Sequence, residues 1–318
     1  MPQTYTPSPR SQRIWFSMLV QLQGSVIPAV LPRVLVCAAF GLLITILYER
    51  GWPVSLPTLS GVIPSIVLGL LLVFRTNTAY ERFWEGRKLW GMMVNVSRNL
   101  ARQIWVAVEI KDGCCDDGTS PAENRAAKRQ ALKLVAAFSV ATKLWLRRDP
   151  VDPELQPLLT AEQYDQLQTM NHPPLEIAFW LGDYLQQQQT KGCINAYQLI
   201  KLQELLDLLV DVLGGCERIL KTPIPLAYSI HIKQLLLVYC FTLPIQVVDP
   251  LGDWTVLTVG LISFAVFGIE EIGIEIENPF GRDPNDLPLD DICKTMQRNI
   301  HDLMTLTPSV DRDTQQVR

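Results

Sequence analysis

From Gly51 to Phe74 the chain carries no charged residue, and the stretch that follows at once carries Arg75, Glu81, Arg82, Glu85 and Arg87. An uncharged run of this length is enough for a helix to cross the hydrocarbon of a bilayer, which takes roughly 20 apolar residues. The charged block then marks where such a helix leaves the lipid. That boundary constrains the chain more than any other feature.

The rest of the composition fits a mixed protein. The chain has 318 residues, of which 48% are hydrophobic and 19% charged, with a mean hydropathy of +0.15. That is too apolar for an ordinary soluble domain and too charged for one wholly inside lipid. A membrane part joined to a polar helical part is expected. A net charge of −4 argues against nucleic acid as a partner, because phosphate binding needs a basic surface.

Four apolar segments stand out: Val34–Tyr48, Leu56–Phe74, Gln234–Val248 and Trp254–Ile269. Only the second reaches spanning length alone. The others are lengthened by snorkelling ends such as Arg33 and Lys233, which gives expected transmembrane helices at about 33–49, 55–75, 230–248 and 254–275. The same lengths also suit buried helices of a soluble protein. Arg10, Arg13 and Arg33 precede the first segment, and Arg75, Arg82, Arg87 and Lys88 follow the second, whereas Asp249–Asp253 holds no basic residue. The positive-inside rule therefore places both termini and the middle region in the cytoplasm.

That middle region, about 76–229, reads as helix. Glu85–Ile110 continues the second segment, Arg125–Leu146 is amphipathic, and Leu199, Leu202, Leu206, Leu209 and Leu213 repeat at helical spacing within Ala196–Leu220. Gly113–Pro121 and Pro150–Pro157 read as loops. A segment 278–318 closes the chain, and its tail after Thr307 is polar, short and expected to be disordered. No strand pattern is found, so the expected fold class is all-α.

Chemistry-bearing constellations are scarce. Cys37, Cys114, Cys115, Cys193, Cys216, Cys240 and Cys293 are odd in number and lack paired CxxC spacing, so neither a disulfide framework nor a metal site is expected. His172, His231 and His301 lie far apart. The Asn95-Val96-Ser97 sequon falls in a helix, and the N-terminal region lacks the pattern of a signal peptide. With no nucleophile, metal cluster or phosphate loop, no cofactor is implied and the chain is not expected to be an enzyme.

Within the second segment, Ile66, Leu70 and Phe74 fall at i, i+4 and i+8 and form one bulky line. Gly61, Ser65 and Gly69 form a line of small residues beside it. Small lines allow close helix packing, and a ring of such helices would aim the bulky line at an axis as a dewetting gate. Both lines could equally pack a helix bundle. Glu270, Glu271, Glu275 and Glu277 suggest either an ion or proton path or an interfacial exit paired with Arg75, Arg82 and Arg87.

Three separated motifs bear on these alternatives. The first is Arg75-Thr76-Asn77-Thr78-Ala79-Tyr80-Glu81-Arg82-Phe83-Trp84-Glu85-Gly86-Arg87 with Leu89-Trp90-Gly91. The second is Cys216-Glu217-Arg218-Ile219 leading to Thr222-Pro223-Ile224-Pro225-Leu226-Ala227-Tyr228. The third is Gly268-Ile269-Glu270-Glu271-Ile272-Gly273 with Glu277-Asn278-Pro279-Phe280-Gly281. In this order they resemble the prokaryotic branch of the bestrophin ion channels.

The resemblance implies one channel domain over 1–318, assembled as a homopentamer with four membrane helices per subunit around a central pore. It places the pore neck on Ile66, Leu70 and Phe74, with a second constriction at Gln198. It makes Arg82 and Trp84 anchors between subunits. Small monovalent anions, chloride and bicarbonate, are the expected permeants, membrane lipid the surroundings, and the bacterial inner membrane the location. A cation channel of the same fold and a non-conducting scaffold are the alternatives. Animal relatives carry an acidic run after the Asn-Pro-Phe-Gly motif, where this chain reads Arg282-Asp283-Pro284-Asn285-Asp286-Leu287-Pro288, so calcium activation is not expected.

Overall fold

The structure is a computed structural model that describes residues 21, 24–56, 62–109 and 120–308. Among these residues there are helices and connections but no strand, as the all-α reading expects. In chain order the helices are α1 (Ile27–Glu49), α2 (Val62–Ala107), α3 (Pro121–Arg147), α4 (Ala161–Thr169), α5 (Pro173–Thr190), α6 (Ala196–Lys221), α7 (Leu226–Leu251), α8 (Thr255–Glu275) and α9 (Leu289–Thr305). The chain divides into two compact units. One comprises Met1–Phe83, Pro223–Asn278 and Arg282–Asp286; the other comprises Trp84–Thr222, Pro279–Gly281 and Leu287–Arg318. The long helix α2 contributes to both.

In the first unit α1 packs against α7 and α8. Its buried positions Val30, Val34, Cys37, Gly41 and Ile44 step by four and three residues, which makes a single seam. Gly41 faces α8, where a β-carbon would stand in ordinary contact with Val259 at 3.6 Å. The start of α2 adds Leu68 and Leu72 to a core with Val34, Ile232, Leu236, Cys240, Val259 and Phe267. Away from that core the helices are greasy outside as well, with Leu35, Val36, Leu237, Val238, Leu257 and Leu261 all exposed. Ile27–Glu49 and the α7–α8 pair, Leu226–Glu275, are long and apolar enough to cross a membrane.

The expected second span is described only in part. Residues 52–56 are not helical, 57–61 lie outside the described residues, and the described part of α2 starts at Val62. Hydropathy counts apolar residues whether or not their backbone can be helical, and Gly51, Pro53 and Pro57 interrupt this run. Val62–Phe74 supplies about 20 Å of apolar helix before Arg75, at 1.5 Å per residue. Conversely, α1 begins before position 33 because Pro28 opens its first turn, and α7 begins at Leu226 directly after Pro225.

The second unit shows how local sequence sets helix starts. Ser120 with Glu123, Thr160 with Gln163 and Asn195 with Gln198 form capping boxes at α3, α4 and α6. At α5 the cap is His172, whose Nδ1 accepts the Leu175 N–H. Three helices were not delimited from the sequence: α4 and α5, inside the region read as helical, and α9. The first is nine residues long with one buried side chain, Leu167. The second ends in the polar run Gln186–Gln189. The third buries Leu289, Cys293, Met296 and Ile300 at helical spacing, a signal present but unread. The stretch 110–119, holding Cys114 and Cys115, and the tail from 309 lie outside the described residues.

An ionic cluster ties α3 to α9. Lys143, whose side chain is almost wholly buried, donates to Glu154 at 2.5 Å and Asp290 at 2.9 Å, while Arg147 reaches Asp290 at 2.8 Å. Burial pulls the Asp290 pKa upward, but the hydrogen bonds from Lys143 and Arg147 outweigh it and leave it at about 2. Burial likewise lowers Lys143, yet its hydrogen bonds to Glu154 and Asp290 hold it above its ordinary value. A carboxylate with a depressed pKa stabilises the fold fully above its unfolded pKa and stops doing so as pH falls through the folded one. Asp290→Asn is expected to cost about 1–2 kcal/mol at neutral pH, since Glu154 still neutralises Lys143 and Asp290 is partly solvated. Thermal melts at stepped pH check this: the wild-type loss of stability from about pH 4 to pH 2 should flatten in the variant. A second test concerns Gly86, where a β-carbon would sit 3.0 Å from Pro279 Cγ and 3.1 Å from Phe280 Cε1. Both rings are buried and would have to shift by a few tenths of an ångström, so Gly86→Ala should destabilise by about 1–3 kcal/mol in a denaturation experiment.

Candidate pore-lining face and the charges behind it

The first turns of α2 have two distinct faces. Leu68, Leu72, Arg75 and Ala79 step by four, three and four residues and are buried, with Arg75 only 2% exposed. The line predicted from spacing lies outside that seam: Ile66, Leu70 and Phe74 are 55%, 51% and 61% exposed. Val67 and Val73 flank it and are exposed too. Ser65 is also exposed, and a β-carbon on Gly69 would meet nothing within 4 Å, so this small-residue line packs against nothing described in its own chain. Gly61 lies outside the described residues.

Directly behind the exposed line sits a knot of charge. Arg75 donates from one terminal nitrogen to Ser229 Oγ at 3.2 Å and from the other to Glu277 Oε2 at 3.5 Å. Arg82 Nε donates to the Glu277 carbonyl at 3.2 Å, and Glu277 Oε1 accepts the Ile224 N–H at 3.1 Å. Tyr228 donates its hydroxyl to the Leu71 carbonyl at 3.1 Å. Glu277 and the first turn of α7 therefore hold the buried side of α2 in one rotation.

The glutamates of the third motif divide their partners differently from the expected pattern. Glu277 is held by Arg75 and Arg82, but Glu271 pairs with Arg33 at 2.7 Å and Glu270 with the same guanidinium at 3.5 Å. Glu275 accepts from Asn285. The sequence reading had given Arg33 only a snorkelling role. Nothing in one dimension shows that α1 lies beside α8, so this pairing, like the role of Ser229, was invisible there.

The other motif residues serve local structure. Asn77 donates to Glu81 one turn on, at 2.9 Å, and Tyr80 and Trp84 stand about half exposed on α2. Glu85 pairs with Arg218 at 2.6 Å. Glu217 receives hydrogen bonds from Trp145 and Lys221 and meets His172 Nε2 at 2.9 Å. Burial raises its pKa, but the bonds from Lys221, Trp145 and His172 bring it below the ordinary glutamate value. Burial pushes the neighbouring Cys216 thiol up to about 12. Pro225 is the residue before α7, Asn278 follows the turn after α8, and Arg87 approaches Gly91 one turn along α2. Pro279 packs on Gly86. Gln198 turns its side-chain oxygen back to the Asn195 N–H in the α6 capping box. Beyond the third motif, Asp286 turns its carboxylate to the Asp283 N–H.

Residues 7–302 match the family described as Bacterial/Fungal Bestrophin protein. A voltage-dependent anion channel-forming protein of Nostoc sp. is 62% identical over 303 residues, covering 94% of this chain and 95% of that one. A protein of the same description from Synechocystis sp. is 56% identical, covering 94% of each. Among solved structures, a bacterial bestrophin homolog from Klebsiella pneumoniae superimposes with a TM-score of 0.77 at 28% identity, covering 88% of this chain and 100% of that one. The helical architecture and the three motifs thus have one explanation: this chain is a member of the bestrophin family.

Proposed function

We propose that this protein is an ion channel of the membrane, a homopentamer in which each subunit supplies four membrane helices and α2 lines a single axial pore. Small monovalent anions, chloride and bicarbonate, pass down their gradient through a neck of Ile66, Leu70 and Phe74. The observation that carries the reading is the two-faced α2: its buried seam is used up within the chain, while this apolar line is left more than half exposed. The relatives named as anion channel-forming proteins support the anion assignment. The inner membrane of a bacterium is the proposed location, and the distribution of basic residues supports both termini in the cytoplasm. The protein acts as a conduit and not as an enzyme, and its polar helical body, within the unit that holds 84–222, is the proposed cytosolic part.

The physics of such a neck is that of exclusion. An ion stripped of water in surroundings of low dielectric costs about 20 kcal/mol, so a narrow apolar ring closes the path without plugging it. Widening the ring enough to wet it restores hydration and conduction. Ser65 and Gly69 leave room beside the line for the same helix of an adjacent copy. Ser65, Gly69 and, from the sequence, Gly61 are therefore assigned to packing between subunits.

Purified protein in planar bilayers under asymmetric KCl tests the reading. A reversal potential near that of chloride is expected. One near that of potassium would assign cations, and no current at all would remove the channel. Replacing Ile66, Leu70 and Phe74 together with alanine should raise the single-channel conductance severalfold by lowering the dewetting barrier. Unchanged unitary currents in that variant would place the neck elsewhere.

A further inference from the structure

Two orphaned atoms of opposite character lie behind the neck. Arg75 is 2% exposed, yet its Nε has no hydrogen-bond partner among the described residues. Glu270 is equally buried, and its Oε1 has none either. Buried donors and acceptors are rarely left in this condition, because each unmade bond costs the desolvation of its group. Moreover, the ion pairs each makes are long. Arg75 sits 3.5 Å from Glu277, and Glu270 sits 3.5 Å from Arg33, both well beyond the 2.7–2.9 Å usual for charge-assisted bonds.

The two carboxylates occupy neighbouring places along one track. Glu270 and Glu277 are seven residues apart, close to two helical turns, so they face the same side with an axial separation of about 10 Å. The helical pattern persists past the end of α8, with the Ile276 N–H bonded to Ile272 O and the Glu277 N–H to Ile274 O. Between them lies Gly273, which presents no side chain; a β-carbon there would stand 3.5 Å from Arg75 Nε. The guanidinium thus rests against the bare stretch of α8 between the two acids. Arg75 is also one of the three cations, with Lys233 and Arg33, whose field acts on Glu270.

What is fixed and what is free can be read from the remaining bonds. Glu277 is retained by the Ile224 N–H and, through its carbonyl, by Arg82. Glu270 is retained by Arg33, which is anchored at 2.7 Å on Glu271. Each acid keeps a bond that does not involve Arg75, so Arg75 is the partner free to exchange. We propose that Arg75 is a positioning residue for the neck, exchanging between Glu277, its partner in this structure, and Glu270, and that the exchange moves α2 between two placements of the Ile66–Leu70–Phe74 line. Phe74 is the residue before Arg75, so a displacement of one necessarily carries the other. Two discrete partners give the helix two states rather than a continuum, which is the requirement for a gate.

The inference rests on the reading of that line as the pore neck, and its test separates the two. Full-length channels are reconstituted in planar bilayers, and open probability, unitary conductance and reversal potential are recorded for wild type, Glu277→Gln and Glu270→Gln. Each removes one of the two stations, so open probability should change about fivefold or more in opposite directions, the lower range of allosteric couplings. Reversal potential and unitary conductance should stay as in wild type, because neither acid lies on the neck line. In an Arg75→Gln background both effects should vanish; if that variant does not assemble, Arg75→Lys, a single point donor, should shrink both. Changes in the same direction, no change, or effects that persist without Arg75 would overturn the exchange while leaving the channel intact. Silence of the wild type would overturn the channel reading itself.

Discussion

The buried seam of α2 is the constraint on which the rest depends. A helix has one free rotation about its axis, and Leu68, Leu72, Arg75 and Ala79 remove it. Three of these are ordinary packing residues; the fourth is a buried cation that must be met by Ser229 and Glu277. Once those contacts form, Ile66, Leu70 and Phe74 have only one direction in which to point, which is out of the subunit. The proposed pore surface is thus decided by the residues that do not line it.

The medium alters which forces do this. In water, burying the apolar seam of α1, α7 and α8 would contribute about 25 cal/mol per Å². In lipid that term is absent, since hydrocarbon tails solvate leucine as well as another helix does, and close packing and polar bonds take its place. The approach of α8 to Gly41 and the charge knot of Arg75, Glu277, Arg33 and Glu271 are the kinds of contact that serve there. The second unit relies on water-side rules: capped helix starts, an amphipathic α9, and the Lys143–Asp290 cluster.

Much of this was legible in the sequence, for definable reasons. The bulky line Ile66, Leu70 and Phe74 follows from helical spacing, its proposed role as a neck and the family follow from three motifs, and the buried seam beside it was not read. The expected span reached back to about 55, where the chain is not helical, because hydropathy does not register a helix breaker such as Pro53. Arg75 read as an interfacial charge because it ends an apolar run; its burial depends on Ser229 and Glu277, more than 150 positions away. The pairing of Arg33 with Glu271 is of the same kind. Short helices such as α4 bury too few side chains to leave a periodic trace.

Electron cryo-microscopy of the full chain in lipid nanodiscs tests the central claim most directly, by showing where the exposed line of α2 lies in the assembled protein. The account predicts five copies around one axis, with the side chains of Ile66, Leu70 and Phe74 forming its narrowest apolar ring. An assembly in which those three side chains face lipid, or pack wholly between subunits away from the axis, would contradict it.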